Sequence, residues 1–189
     1  MSYAISPHHM ADEFTGAFDQ KVEFFVDATK GWRLGVAKSM REKGVPECGF
    51  AQVAIVASYF EMIAKYRDGF TEWSKSEHYF NEGVKRVFPE IGKFPAQARK
   101  TLLTLLYDRV RCGLYHSGMT GKGVILSWDA PAAVGYDSEK DTAIINPDLL
   151  ADRLLHDLSV YESELKDVNN TELRANFERR FDSDFGVKP

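Results

Sequence analysis

The chain has 189 residues, 44% of them hydrophobic, 13% aromatic and 28% charged, with a formal net charge of -4. That length suits one domain able to bury most of its apolar surface, and the composition excludes a disordered, collagen-like or repeat protein. The acidic balance argues against a protein whose whole surface coats nucleic acid, while leaving room for a local basic site.

The opening run MSYAISPHHMADEF lacks the basic start, apolar run and small-residue cleavage site of a signal peptide. A first helix is predicted from about Asp12 towards Arg41, with Phe14, Phe18, Val22, Phe25, Trp32 and Val36 on one stripe. Gly31 and Gly35 weaken its middle, so a kink or break is expected there before Gly44-Val45-Pro46 ends it. A second helix, Phe50 to Arg67, is apolar nearly all round and so belongs in the middle of a bundle. It is also the longest apolar stretch, but Gln52, Ser58 and Glu61 interrupt it, and its run to Ala64 falls short of the ~20 residues that a bilayer span needs.

A third helix is predicted over Ser76 to Phe88, stopped by Pro89. A fourth begins near Pro95-Ala96, turns Leu102, Leu103, Leu106, Val110 and Leu114 inward, and ends in the glycines that follow His116. The period then changes. Gly123 to Trp128, Ala133 to Tyr136 and Thr142 to Asn146 read as short strands of an antiparallel hairpin or meander. Asn146, Pro147 and Asp148 make a helix start, and Leu150, Leu154, Leu158, Tyr161 and Leu165 an inward stripe. Thr171 caps a short last helix carrying Leu173, Phe177 and Phe181, whose packing the sequence leaves open. The fold expected is mainly α, an up-and-down helical bundle with a small β insertion before its last helices. Residues 1–189 form one domain with a core over about 11–166 and a C-terminal helix and tail over 167–189.

The fourth helix ends in Arg111-Cys-Gly-Leu-Tyr-His116-Ser-Gly, an R-x4-H spacing. Arginine offers a fixed positive charge and a planar fork that fits phosphate oxygens. Histidine exchanges protons near neutral pH. The pair therefore has the chemistry to hold a phosphodiester and move the protons of its cleavage. The same spacing also fits a solvated arginine followed by a histidine stabilised by the negative end of the helix dipole. On an ideal helix, five steps at ~100° put the two side chains about 140° apart, at opposite edges of the apolar stripe. They converge on one phosphate if the helix unwinds at its glycines, or if a second subunit brings its own pair alongside on a dimer axis.

This segment, late in a helical bundle and followed by a short β excursion, resembles the signature of HEPN domains (higher eukaryotes and prokaryotes nucleotide-binding). The resemblance implies an α-helical, usually dimeric fold, and in many members a metal-independent endoribonuclease of toxin–antitoxin or defence systems. It assigns catalysis to Arg111 and His116, on single-stranded RNA, leaving a 2′,3′-cyclic phosphate. A non-cleaving RNA- or nucleotide-binding and dimerisation module is the alternative. Members often carry Asn, Asp or His after the arginine, where this chain has Cys112. A cognate antitoxin or nucleotidyltransferase is the partner type the resemblance brings with it. Gly118, however, stands where the variant modified by a nucleotidyltransferase carries Tyr.

Other residues are candidates for support. Asp108, Arg109 and Tyr115 flank the motif, and Arg99, Lys100, Arg109 and Arg111 bias the fourth helix positively, towards RNA phosphates or simply towards water. Glu61 shares a stripe with Phe50, Ala54, Ala57 and Ala64, where a carboxylate needs a cation beside it. The cations able to face it from the fourth helix are Arg109 and Arg111, and Arg111 is expected. His8, His9 and Asp12 could imitate a metal site but sit near a terminus, and His78 and His156 have no neighbouring ligands in sequence. Cys48 and Cys112 come without a ligand cluster, so no metal or disulfide is implied. A cytoplasmic protein without cofactor, metal or membrane partner is expected.

Overall fold

The computed structural model describes residues 3–186. Its first elements lie where the sequence shows no periodicity. Strands β1 (Ala4–Ser6) and β2 (His9–Met10) form an antiparallel hairpin, and a 3-10 turn follows over Ala11–Glu13. Side chains tie the hairpin to the first helix: His8 Nδ1 donates to Asp27 Oδ1 at 2.8 Å and His9 Nε2 to Glu23 Oε1 at 3.2 Å. The helix predicted from Asp12 therefore starts later, as α1 (Phe18–Thr29).

The glycine-weakened middle of that helix is not a break. A π-helical turn, Lys30–Leu34, passes directly into α2 (Gly35–Glu42). A π turn inserts an extra residue and so shifts the phase of everything after it. Val22 and Phe25 are buried as the stripe requires, but Trp32 and Val36 are exposed, and Leu34 and Ala37 take their places in the core.

Helix α3 (Gly49–Asp68) is the predicted central helix, and α4 (Ser76–Val87) packs closely along it. The approach is close because α4 carries Gly83. A Cβ there would lie 2.0 Å from the carbonyl oxygen of Phe60, so only a bare Cα fits. The predicted fourth helix is one helical path in three parts: α5 (Ala96–Thr104), a π-helical stretch Leu105–Cys112, and α6 (Gly113–Ser117). Leu102, Leu103, Leu106, Val110 and Leu114 are all buried, as the periodicity predicts.

The β insertion differs from the expected antiparallel arrangement. Strands β3 (Val124–Leu126), β4 (Val134–Asp137) and β5 (Thr142–Ile145) lie in the order β3-β5-β4. β4 and β5 form an antiparallel hairpin, while β3 pairs with β5 in parallel. The connection after β3 crosses to the far edge, and Asn146 holds it by donating Nδ2 to the carbonyls of Trp128 and Ala130 at 2.9 and 2.8 Å. The other end of that amide accepts from the backbone N–H of Asp148 and Leu149, capping α7 (Pro147–Lys166) as expected.

The last helix, α8 (Thr171–Phe185), lies where a short helix was expected, but it is longer and is part of the core. Phe177 and Phe181 are fully buried against Phe25, Tyr66 and each other. Its polar groups are used as well: Lys21, itself buried, pairs with Glu178 and Asp182, and Arg180 Nη1 donates to the Phe70 carbonyl at 2.8 Å. Among the described residues no helix is long and apolar enough to cross a membrane.

Candidate functional site

The π-helical stretch Leu105–Cys112 keeps Leu106 and Val110 in the core and leaves Arg111 at the edge facing α3 and the start of α4. From there the Arg111 guanidinium crosses to Glu61 of α3, donating Nη2 to Oε2 at 3.2 Å. The same nitrogen lies 3.3 Å from Ser76 Oγ, at the first residue of α4, and that hydroxyl donates to Glu61 Oε2 at 2.5 Å. The second carboxylate oxygen accepts from Lys65 Nζ at 2.8 Å, one helical turn along α3. Three helices thus meet on one carboxylate.

The charges in this network do not cancel. Burial opposes ionisation of Glu61, yet hydrogen bonds from Lys65 and Ser76 and the charges of Lys65 and Arg111 hold its carboxyl below the ordinary value. Arg111 is likewise opposed by burial and kept charged by the neighbouring Glu61, which pushes its guanidinium pKa up. Two cations share one anion, so the cluster retains a net positive charge. Both hydrogen bonds leave from Nη2, and the guanidinium has three further donors on Nη1 and Nε. The Arg111 side chain is 25% exposed.

Aromatic rings flank the guanidinium. Its carbon lies 5.8 Å from the ring centre of Tyr107 and 5.5 Å from that of Tyr115. Burial pushes the Tyr107 phenol above its ordinary value, and Ser76 and Cys112 both interact with its hydroxyl. The His116 ring is exposed and meets Tyr115 edge-on, with ring centres 5.9 Å apart at 78°.

The helix does not unwind to bring Arg111 and His116 together. α6 remains helical through Ser117, and the chain turns only at Gly118, in the left-handed region with φ of 68°. The first of the two routes to convergence is therefore not taken in this structure. The Cα of Gly113 faces this chain's own returning loop. A Cβ there would lie 2.7 Å from the Met119 carbonyl oxygen.

The other candidates fall elsewhere. Asp108 and Arg109 are exposed and line a surface groove with Lys100 and Thr101. The Arg109 carbonyl accepts from the Gly121 N–H, so Arg109 serves the loop and not Glu61. The stripe proposed for Glu61 is partly wrong, since Phe50 and Ala54 are exposed, but its partner Arg111 is in place. His8 and His9 pair with carboxylates of α1, and His78 and His156 lie on the surface. Among the described residues no group of three or more His, Cys, Asp or Glu side chains is placed to hold a metal ion.

Sequence reasoning missed Lys65 and Ser76. Lys65 was readable, standing four residues after Glu61 on one helix face. Ser76 was not, because it reads only as a helix start. Its place against Glu61 depends on the loop before it, where Lys75 is held in the left-handed region with φ of 58°. Comparison with protein-family models, with curated proteins and with solved structures finds no match to this chain.

Proposed function

We propose that the protein is a HEPN-like endoribonuclease that cleaves single-stranded RNA as a cytoplasmic homodimer, with Arg111 and His116 as its catalytic residues. The observation that carries this reading is the Arg111 guanidinium held from behind by Glu61 and Ser76. A guanidinium fixed on one edge presents its remaining donors without losing rotamer freedom at the moment of binding. The retained positive charge suits a phosphodiester.

In this reading the 2′-hydroxyl attacks the adjacent phosphorus and the bond to the 5′-oxygen breaks. The products are a 2′,3′-cyclic phosphate and a free 5′-hydroxyl. Arg111 binds the non-bridging oxygens and stabilises the charge that grows on them in the transition state. His116 takes the 2′-proton or supplies one to the leaving oxygen. A single strand is favoured because its backbone reaches in-line geometry more easily than a duplex. The helix carrying the two side chains is intact through Ser117 and they make no contact with each other among the described residues, so the reading requires the Arg111 of one subunit to work with the His116 of another.

One observation favours a second reading, a binding and dimerisation module without cleavage. Within the described chain Arg111 bonds to Glu61 and Ser76, and the ring contact of His116 is to Tyr115, so the pair does not meet. Incubating the purified protein with labelled single-stranded RNA, with and without EDTA, separates the two. Cleavage that survives EDTA, leaves cyclic phosphate ends and is lost in His116→Ala is the expected result. Bound but uncleaved RNA establishes the second reading, and no RNA binding at all removes the nuclease and the RNA-binding form of the second reading.

A further inference from the structure

We infer that Tyr115 is the stacking platform for one nucleobase of the bound RNA, an inference that rests on the reading of Arg111 and His116 as an RNA-cleaving pair. The starting point is an anomaly in burial. Tyr115 follows Leu114, which occupies the core position of this turn, and its own side chain is 81% exposed. An aromatic ring in water on a helix surface gains nothing from packing within the protomer. Other aromatics, such as Trp73 and Tyr3, are exposed too. Tyr115 differs in what surrounds it.

Its ring touches both of the residue types assigned to the phosphate. The Arg111 guanidinium carbon lies 5.5 Å from its centre, and the His116 ring meets it edge-on at 5.9 Å. In the cross-subunit site the phosphodiester meets the Arg111 of one chain and the His116 of the other, and each of these carries its own Tyr115 ring beside it, so a base attached to that phosphodiester comes into the neighbourhood of a Tyr115 ring. Single-stranded RNA is held in this way elsewhere in protein chemistry: charge tracks the backbone while aromatic faces receive unstacked bases. Every base has a π face, so the platform fixes where the strand lies without reading its sequence. It also selects against duplex, whose bases are already stacked on each other. The nearby guanidinium adds to the fit, since it can lie against the same base edge that the tyrosine ring supports.

The platform differs from a mere apolar contact in requiring a flat π system, and that separates the variants. The test uses the full chain carrying His116→Ala, so that RNA is bound without being cut. A fluorescein-labelled single-stranded oligoribonucleotide of mixed sequence is titrated by anisotropy. Adding Tyr115→Leu, which keeps apolar bulk but removes the ring, is expected to weaken binding about tenfold. Tyr115→Phe and Tyr115→Trp should restore it, and a matched RNA duplex should bind weakly to all of them. Light scattering on each variant follows the subunit mass. Equal affinity of the Leu variant overturns the platform while leaving the RNA reading in place. Conversion of a dimer to a monomer by Tyr115→Leu overturns it too, because Tyr115 would then be a subunit contact. Absence of RNA binding by the His116→Ala protein together with absence of cleavage by the parent protein overturns the cleavage reading, and the platform falls with it.

Discussion

Arg111 and Glu61 stand fifty residues apart in the chain, on different helices, and meet at 3.2 Å with Ser76 bridging them. Arginine at a phosphate site loses selectivity if its long side chain wanders, and a carboxylate behind it removes that freedom. The same carboxylate holds Lys65, whose side chain is only 4% exposed, so one residue serves both the site and the fold.

That double duty can be separated by substitution. Glu61→Gln leaves the buried Lys65 ammonium without an anion and is expected to lower stability by about 3 kcal/mol. It should also cut RNA cleavage at least about tenfold by loosening Arg111. Adding Lys65→Met removes the stranded charge, so the double variant should regain most of the stability and none of the cleavage. Denaturant melts and cleavage assays on the two variants check this. Recovery of both together would reduce Glu61 to a counter-ion for Lys65.

Acid should act through two carboxylates. Burial raises Asp27, but hydrogen bonds from Ser6 and His8 and the charge of His8 outweigh it and hold the group at about 2, below its ordinary 3.8. Glu61 is likewise held below its ordinary 4.5. A carboxyl lowered in the folded state adds stability above its unfolded pKa, and that stability disappears as pH falls through the folded one. The Asp27 contribution is therefore full above pH 3.8 and lost towards pH 2. Asp27→Asn should cost roughly 1–2 kcal/mol at neutral pH and flatten the acid limb of the stability curve below about pH 4. Chemical melts between pH 2 and 7 read this, and an unchanged acid limb would mean that the hairpin anchor contributes nothing.

The parts of this fold that were legible in the sequence are those where one face alone decides. The inward leucines from Leu102 to Leu114 and from Leu150 to Leu165 are buried as their spacing requires, and Asn146 caps α7. The stripe of the first helix failed at Trp32 and Val36, because periodicity assumes a constant turn and the π turn at Lys30–Leu34 changes it. The parallel pairing of β3 with β5 was hidden for another reason: alternation assigns a strand's faces and not its neighbour. At the site, the Glu61–Arg111 contact followed from the cost of a buried carboxylate. Ser76 could not follow, since no local pattern ties it to a helix fifteen residues earlier.

Gly83 tests the packing that brings Ser76 to Glu61. A methyl group at this position would lie 2.0 Å from the Phe60 carbonyl oxygen, which is backbone and cannot step aside. Alanine gains ~1 kcal/mol of helix propensity over glycine, but overpacking a helix–helix contact costs more. Gly83→Ala is therefore expected to lose about 2 kcal/mol net and to lower the melting temperature by roughly 5 °C. A melting temperature that rises would show that α3 and α4 are not in contact there.

The strongest test of the two-subunit site is complementation between inactive chains. His116 is exposed and contacts the Tyr115 ring, so His116→Ala should leave the fold intact. Arg111→Ala should bind RNA poorly, and each variant alone should be unable to cut. When the two are mixed and allowed to exchange subunits, about half of the dimers carry one of each chain. In such a dimer one site combines the intact Arg111 of one subunit with the intact His116 of the other, while the second site lacks both. The mixture should therefore recover about a quarter of the parental cleavage rate, counted over all sites. A site made within one chain gives a different outcome, because every chain in the mixture lacks one of the two residues and no recombination repairs it. Light scattering on the parent protein at micromolar concentration provides the control. A monomeric mass together with active cleavage would place Arg111 and His116 of a single chain at the phosphate, and the intact helix through Ser117 would then have to open on binding.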